Sequence, residues 1–328
     1  MKKIGVVEGY YGEISKFDDR KKIIESLNKY NLNFYLYAAK EDPFLRSHLD
    51  IEYTKEWLSA FRSFVNFSTD LSVEIGVGLA PVKTAHLSGL KEKIKIFSEQ
   101  GVKSISILFD DIEGGFCFEK QLEIFNDVKT SFSELSFDFC PTVYATELIN
   151  KDKNHNQYFN DFIKYFPKSN NFFWTGDKVI SLEMSGNCQS SLFGFNNENI
   201  YIWDNYFTID SCPKNINLSF CDHLSHEFIS SKNCYLINLT GMPRTDKLLV
   251  ELFGAFKVGE KDSFETILLR HGVDERLLDL IHLLNPNSKK KVQDKDRHKI
   301  HEIMFSWFHP LKNEWYPYLH NLKKGENL

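Results

Sequence analysis

No two of the six cysteines (Cys117, Cys140, Cys188, Cys212, Cys221, Cys234) form a C-x-x-C pair, and they do not cluster, so a disulfide framework is not expected and the thiols read as reduced. Long apolar runs are missing too. Lys2 and Lys3 precede an apolar stretch that Glu8 stops after Val7, too short for a secretory leader, and no segment approaches the roughly 20 apolar residues of a membrane span. The expectation is a soluble, cytoplasmic protein. Nor is there an excess of basic charge: Lys+Arg 40 against Asp+Glu 45 leaves a net charge of −5, which makes nucleic acid and anionic membrane surfaces poor partners. Gly76-x-Gly78 meets Pro81 where a dinucleotide fingerprint needs its third glycine, and there is no G-x-S-x-G elbow. His223-x-x-His226, near Cys221, lacks a second ligand pair and reads as a packed or exposed histidine pair.

What the chain does have is apolar material: 42% hydrophobic and 15% aromatic residues, enough for a large core. It falls in eight short runs, Ile4 to Val7, Phe34 to Tyr37, Val73 to Val77, Ser104 to Phe109, Phe137 to Cys140, Asn171 to Trp174, Ile200 to Trp203 and Cys234 to Asn238. Several are too apolar for a strand wetted on one side, and the intervals leave room for a returning helix, so the pattern predicts a closed (β/α)8 barrel of parallel strands. Helical stripes fill the early intervals: Ile23, Ile24, Leu27 and Tyr30; Trp57, Phe61 and Phe64; Leu90, Ile94 and Phe97, stopping at Gly101; Leu122, Phe125, Val128 and Phe132. The fifth to seventh connections are poorer in helix signals, and Ser185 to Asn199 reads as loop. Leu248 to Phe256 closes the barrel, giving a catalytic unit over 1–258 and a helical C-terminal extension over 259–328. The extension carries two amphipathic segments, Phe264 to Leu284 and His298 to Leu319, parted by a turn at Asn285 to Ser288 and a solvated run at Lys289 to Lys291.

In such a barrel the C-terminal strand ends converge on one face, and residues there are the candidates for chemistry. This selects Glu8 to Gly12, Lys40-Glu41-Asp42, Asp110-Asp111, Tyr144, Trp174-Thr175-Gly176, Trp203-Asp204-Asn205 and Asn238. Acids, amides and aromatics with one lysine make a sugar pocket, since carboxylates and amides fork onto hydroxyls while aromatic faces cover the ring. Two adjacent carboxylates at a strand end cannot both ionise freely, so one of Asp110 and Asp111 is expected to be pushed toward the protonated form. Neighbouring acids may not bracket one anomeric carbon as acid and nucleophile. They do suit a 2-acetamido sugar whose own carbonyl oxygen attacks, one acid orienting the acetamido N–H and the other protonating the leaving oxygen. An Asp pair capping the following helix, or a metal site with Glu113, remains open.

Six ordered segments then become recognisable: Gly5 to Gly12 (GVVEGYYG), Asn33 to Asp42 (NFYLYAAKED), Leu108 to Ile112 (LFDDI), Cys140 to Tyr144 (CPTVY), Trp174-Thr175-Gly176 and Ile202 to Asn205 (IWDN). In order and spacing they resemble glycoside hydrolase family 84, the O-GlcNAcase and bacterial β-N-acetylglucosaminidase family, over roughly the first 245 residues. The resemblance implies a (β/α)8 catalytic domain, no metal or cofactor, and substrate-assisted retention through an oxazoline, acting on a β-GlcNAc-terminated glycan, glycopeptide or glycoprotein. It implies that Asp110 polarises the acetamido group and Asp111 is the general acid/base. It also implies that Gly9, Lys40, Asn205, Asp210 and Asn238 hold hydroxyls and the acetamido group, that Tyr144 lies beside the reacting centre, and that Trp203 walls the acetamido pocket. The chain departs from the family at Ala39 (often Pro), Glu41 (Asp), Val143 (Glu) and Glu13-Ile14 (Arg-Pro), positions that bear on outer contacts, and the family's long helical stalk is absent or reduced to the tail. Two other readings fit the residues alone: a metal-dependent barrel using Asp110, Asp111 and Glu113, and a sugar-binding protein without catalysis. Oligomeric state and natural aglycone are not legible.

Overall fold

The eight apolar runs all become strands, because a run buried on both faces is stable only between a packed barrel interior and a covering layer of helices. A computed structural model of the chain describes residues 2–81, 87–112, 114, 116–186, 192, 194–209, 215–259, 263–288 and 290–325. In chain order the barrel is β1 (Lys3–Glu8), α1 (Phe17–Lys29), β2 (Phe34–Tyr37), α2 (Lys55–Asp70), β3 (Glu74–Leu79), α3 (Leu87–Glu99), β4 (Ser104–Leu108), α4 (Phe118–Ser131), β5 (Ser136–Cys140), α5 (Lys153–Tyr165), β6 (Phe172–Trp174), β7 (Ile200–Asp204), α6 (His226–Ser230), β8 (Cys234–Asn238) and α7 (Pro243–Val258). Each strand pairs in parallel with its sequence neighbours, and β8 returns to β1 through Val7 opposite Asn238, closing a (β/α)8 barrel.

Alternation along the strands separates two apolar layers. Val7, Phe34, Leu36, Leu108, Cys140, Phe173, Trp203 and Leu236 make one buried cluster inside the barrel. Their neighbours Val6, Tyr35, Tyr37, Ile107, Phe139, Ile202 and Ile237 join the helices in a second. The lower end of the lumen is closed by a polar plug, in which Lys3 Nζ donates to Asp138 Oδ2 at 3.0 Å and Asn171 Nδ2 to Asp138 Oδ1 at 3.2 Å.

The structure adds to the sequence reading in two places. The fifth connection, read as poor in helix signals, carries the 13-residue α5, capped by Asp152 and buried through His155, Tyr158, Phe159 and Phe162. Each amphipathic segment of the tail is also broken, the first into three pieces and the second into two. Phe264 to Leu284 divides into α8 (Phe264–Arg270), α9 (Glu275–Leu278) and a 3-10 turn at Ile281–Leu284, because Gly272 turns the chain at φ +83°. The second becomes α10 (Asp294–Ser306) and α11 (Leu311–Lys324): Trp307 leaves the helical backbone at ψ +106°, and Pro310 stands at the start of α11, where its missing N–H is tolerated. α11 packs on α7: Glu314 accepts from the backbone N–H groups of Arg244 and Thr245 at 3.1 and 2.8 Å, and Trp315 Nε1 donates to Thr245 Oγ1 at 3.0 Å. No described helix is long and apolar enough to cross a membrane.

Candidate active site

At the C-terminal face the described residues Gly9, Tyr11, Lys40, Asp110, Asp111, Tyr144, Trp203, Asn205 and Asn238 line one cavity of about 260 Å³. That is below the range for drug-sized ligands and suits a single small ring. The acids come from the β4 end. Successive residues leaving a strand point to opposite faces, so two neighbouring aspartates should diverge. They do not, because Asp111 has a left-handed backbone, φ +55°, which returns its carboxylate to the cavity that Asp110 lines. Such a conformation costs a non-glycine residue about 1–3 kcal/mol and is concentrated at functional sites.

Lys40, from the end of β2, is almost fully buried and donates to Asp110 Oδ2, with Asp111 Oδ2 3.5 Å away. Burial works against its charge, but the two carboxylates outweigh that and hold its pKa above the ordinary lysine value. Asp110 is buried as well, and its Oδ1 has no hydrogen-bond partner among the described residues. Asp111 is fully engaged: Tyr144 OH donates to Oδ1 at 2.8 Å and Tyr11 OH to Oδ2 at 2.9 Å. Burial pushes its pKa up, yet the Lys40 ammonium, both phenols and the Arg46 charge prevail and leave it below the usual carboxylate range. Adjacency led to the expectation that one acid of the pair is pushed toward the protonated form, and Asp111 is shifted the other way. Adjacent carboxylates repel, but here a buried cation and two donors offset the repulsion.

Opposite the acids, amides form a relay across three strands. Gly9 N–H donates to Asn238 Oδ1 at 3.1 Å, Asn238 Nδ2 to Asn205 Oδ1 at 3.0 Å, and Asn205 Nδ2 to the Val179 carbonyl at 2.9 Å. Each primary amide has two N–H bonds, so each keeps one for a ligand while the first fixes its orientation. The Trp203 indole lies over Gly9, where a Cβ would come within 2.1 Å of Cζ2, so only glycine admits the ring. Phe173 meets Trp203 edge-on at 5.6 Å, and the Lys40 ammonium lies 5.7 Å from its ring centre.

Other residues from the strand-end set face away. Glu8 points outward, where Arg20 binds both carboxylate oxygens at 2.8 and 2.9 Å and Tyr35 OH donates at 2.6 Å. Asp42 caps the turn after β2, accepting from Phe44 N–H and the Tyr53 hydroxyl. Trp174 belongs to the outer layer beside Phe159. Asp210 and Glu113 lie outside the described residues. His223 and His226 have separate surroundings: the first bonds Asp204 Oδ2 at 2.8 Å and stacks on Tyr206, the second stacks on Phe256. Tyr11 and Thr175, strand-end candidates to which no role was given, also line the cavity, as do Cys140, Phe173 and Val179, which were not among those candidates. Tyr11, Cys140 and Thr175 stand inside quoted motifs, whereas Val179, in a loop, carries no signal.

A family model described as NAGidase, beta-N-acetylglucosaminidase, matches residues 4–266. Two curated relatives, each named protein O-GlcNAcase, from Mus musculus and Rattus norvegicus, are each 27% identical over 251 residues, 71% of this chain and 27% of theirs. The chain thus spans about a quarter of the length of the relatives it matches. A mutant O-GlcNAc hydrolase of Thermobaculum terrenum superposes with a TM-score of 0.73 at 19% identity, covering 98% of this chain and 81% of that one, a likeness of fold.

Proposed function

The chain belongs to the β-N-acetylglucosaminidase family, glycoside hydrolase family 84, and from that premise we propose that it removes terminal β-linked GlcNAc with retention, the substrate's own acetamido group acting as nucleophile. The carrying observation is the buried Asp110 Oδ1, which lines the cavity and lacks a donor among the described residues. An unpaired buried acceptor costs about 1–3 kcal/mol, and an acetamido N–H supplies the missing donor. Lys40 secures the other oxygen of the same carboxylate, so Asp110 is held to receive that N–H and to make the amide oxygen more nucleophilic.

In the first step the amide oxygen bonds to the anomeric carbon, the glycosidic C–O bond breaks, and Asp111 gives its proton to the departing oxygen, leaving a protonated oxazoline whose N–H stays hydrogen-bonded to the Asp110 carboxylate. In the second step Asp111 takes a proton from water, whose oxygen attacks the same carbon and reopens the ring. The amides of Asn205 and Asn238, the Gly9 backbone and Lys40 hold the polar groups of the sugar, with Asp210 assigned to the same task. Trp203 walls the acetamido side, and Tyr144 braces Asp111. The depressed pKa of Asp111 keeps it ionised, the form in which it can act as base. For the first step, a seated substrate must raise that pKa by excluding water and displacing a donor.

The test is hydrolysis of an aryl β-GlcNAc substrate with the product anomer read by NMR, together with binding of a thiazoline mimic of the oxazoline. Asp111→Ala and Asp110→Asn should each lose about 10²–10⁴-fold in kcat/KM. A near-normal rate in either variant, or an inverted product, overturns the reading.

A further inference from the structure

Both oxygens of Asp111 are occupied by phenols, yet an acid that protonates a leaving group needs one oxygen free to face it. The two phenols are not equivalent. Tyr144, at 2.8 Å from Oδ1, lies on the loop after β5, half-buried and packed against the apolar cluster inside the barrel. Tyr11, at 2.9 Å from Oδ2, lies on the β1–α1 loop and is 43% exposed. Arg46, on the loop after β2, reaches it from outside: its Nη1 is 3.5 Å from the Tyr11 hydroxyl and its guanidinium 5.8 Å from the ring centre. The geometry points to Tyr11 as an exchangeable donor, whose place at Asp111 Oδ2 the leaving-group oxygen takes when substrate binds, and which together with Arg46 sets how readily Asp111 carries a proton. Tyr11 is therefore a positioning residue, acting through Asp111; the inference rests on the acid/base role given to Asp111 above.

The groups facing Asp111 from every side are Lys40 at the β2 end, Arg46 on the following loop, Tyr11 after β1, Cys140 at the end of β5, Tyr144 on the loop beyond it, and its neighbour Asp110. Tyr11 is the one among them that is both bonded to Asp111 and open to solvent. Its phenol is itself held above the ordinary tyrosine value, first by burial and then by the Asp111 charge, so it stays a donor throughout the neutral range. A donor on a carboxylate favours the ionised form. Releasing it at the moment the leaving oxygen arrives raises the proton affinity of Asp111 when the proton is needed. When that proton has passed to the leaving group, the phenol can bond the carboxylate again.

The test is the pH dependence of kcat/KM for the wild type, Tyr11→Phe and Asp111→Ala, on a nitrophenyl and an alkyl β-GlcNAc, with thermal melts to confirm folding. Removing the phenol makes Asp111 easier to protonate, so the alkaline limb of Tyr11→Phe should move up by about one pH unit. Arg46→Met should move it the same way by less, and Arg46→Lys should restore it. If Asp111→Ala loses the alkaline limb while Tyr11→Phe keeps the wild-type limb, the inference fails and the acid assignment stands. If Asp111→Ala keeps the wild-type limb on the alkyl substrate, the acid assignment fails and takes the inference with it.

Discussion

Two lysine–aspartate pairs lie inside the same barrel, one at each end, and they are built to opposite purposes. At the lower end Asp138 is saturated, with Lys3 on one oxygen and Asn171 on the other, and Lys3 also lies over the Phe34 ring at 4.8 Å. At the upper end Lys40 binds one oxygen of Asp110 and leaves the other without a donor among the described residues. The chemistry of the pairs is alike; what differs is a missing hydrogen bond. A buried charge pair stabilises a fold only when its remaining lone pairs are satisfied. The lower pair meets that condition and is a plug. The upper pair falls short of it by one donor, and that shortfall is what a ligand can make good.

Breaking each pair should show the difference. Lys40→Met is expected to have the largest effect, because it strands a buried carboxylate at a cost of about 3–5 kcal/mol and removes the cation that orients Asp110. Denaturant unfolding should show the loss of stability, and turnover of an aryl β-GlcNAc should collapse even where the variant is folded. Lys3→Met should carry a comparable stability cost while kcat/KM per folded molecule stays at the wild-type value; a drop in turnover there would mean the two ends are coupled. Gly9→Ala sharpens the upper end alone. Its methyl group collides with the Trp203 indole, an overpacking of about 1–3 kcal/mol, and should raise KM more than it lowers kcat. The smallest effect is at high pH. Burial opposes the Lys3 charge, but Asp138 dominates and raises its pKa above the unfolded value of about 10.4. The stability it adds is therefore complete below that pH and is lost as the pH climbs through the folded value. Alkaline titration of unfolding should fall more steeply for the wild type than for Lys3→Met.

The barrel was legible because strands buried on both faces leave near-continuous apolar runs, and each of the eight runs overlaps a strand. α5 was harder to see because its buried stripe includes His155 and Tyr158, and the tail breaks fall at single residues, Gly272 and Trp307, inside otherwise helical patterns. For the site, order and spacing of motifs put Gly9, Lys40, Asp110, Asp111, Tyr144, Trp203, Asn205 and Asn238 on one list, and the structure brings these around one cavity. The protonation state did not follow from adjacency. It depends on burial, which raises the Asp111 pKa, and on Lys40, Tyr144, Tyr11 and Arg46, which lower it and come from the ends of three other strands, so that they gather around Asp111 only through tertiary structure. The left-handed backbone that aims Asp111 was equally hidden, since aspartate tolerates that conformation without a glycine to announce it.

The contact between α11 and α7 bears on how this chain could be shortened. Glu314 supplies acceptors to two amide groups at the start of α7, and α7 follows directly from the strand that ends in Asn238. A deletion that stopped at Val258 would keep every residue of the cavity wall yet uncap the helix behind one of its amides. A chain cut at Val258 is therefore expected to unfold at lower denaturant than one that reaches Glu314 and Trp315, and the cavity wall at Asn238 should loosen from behind.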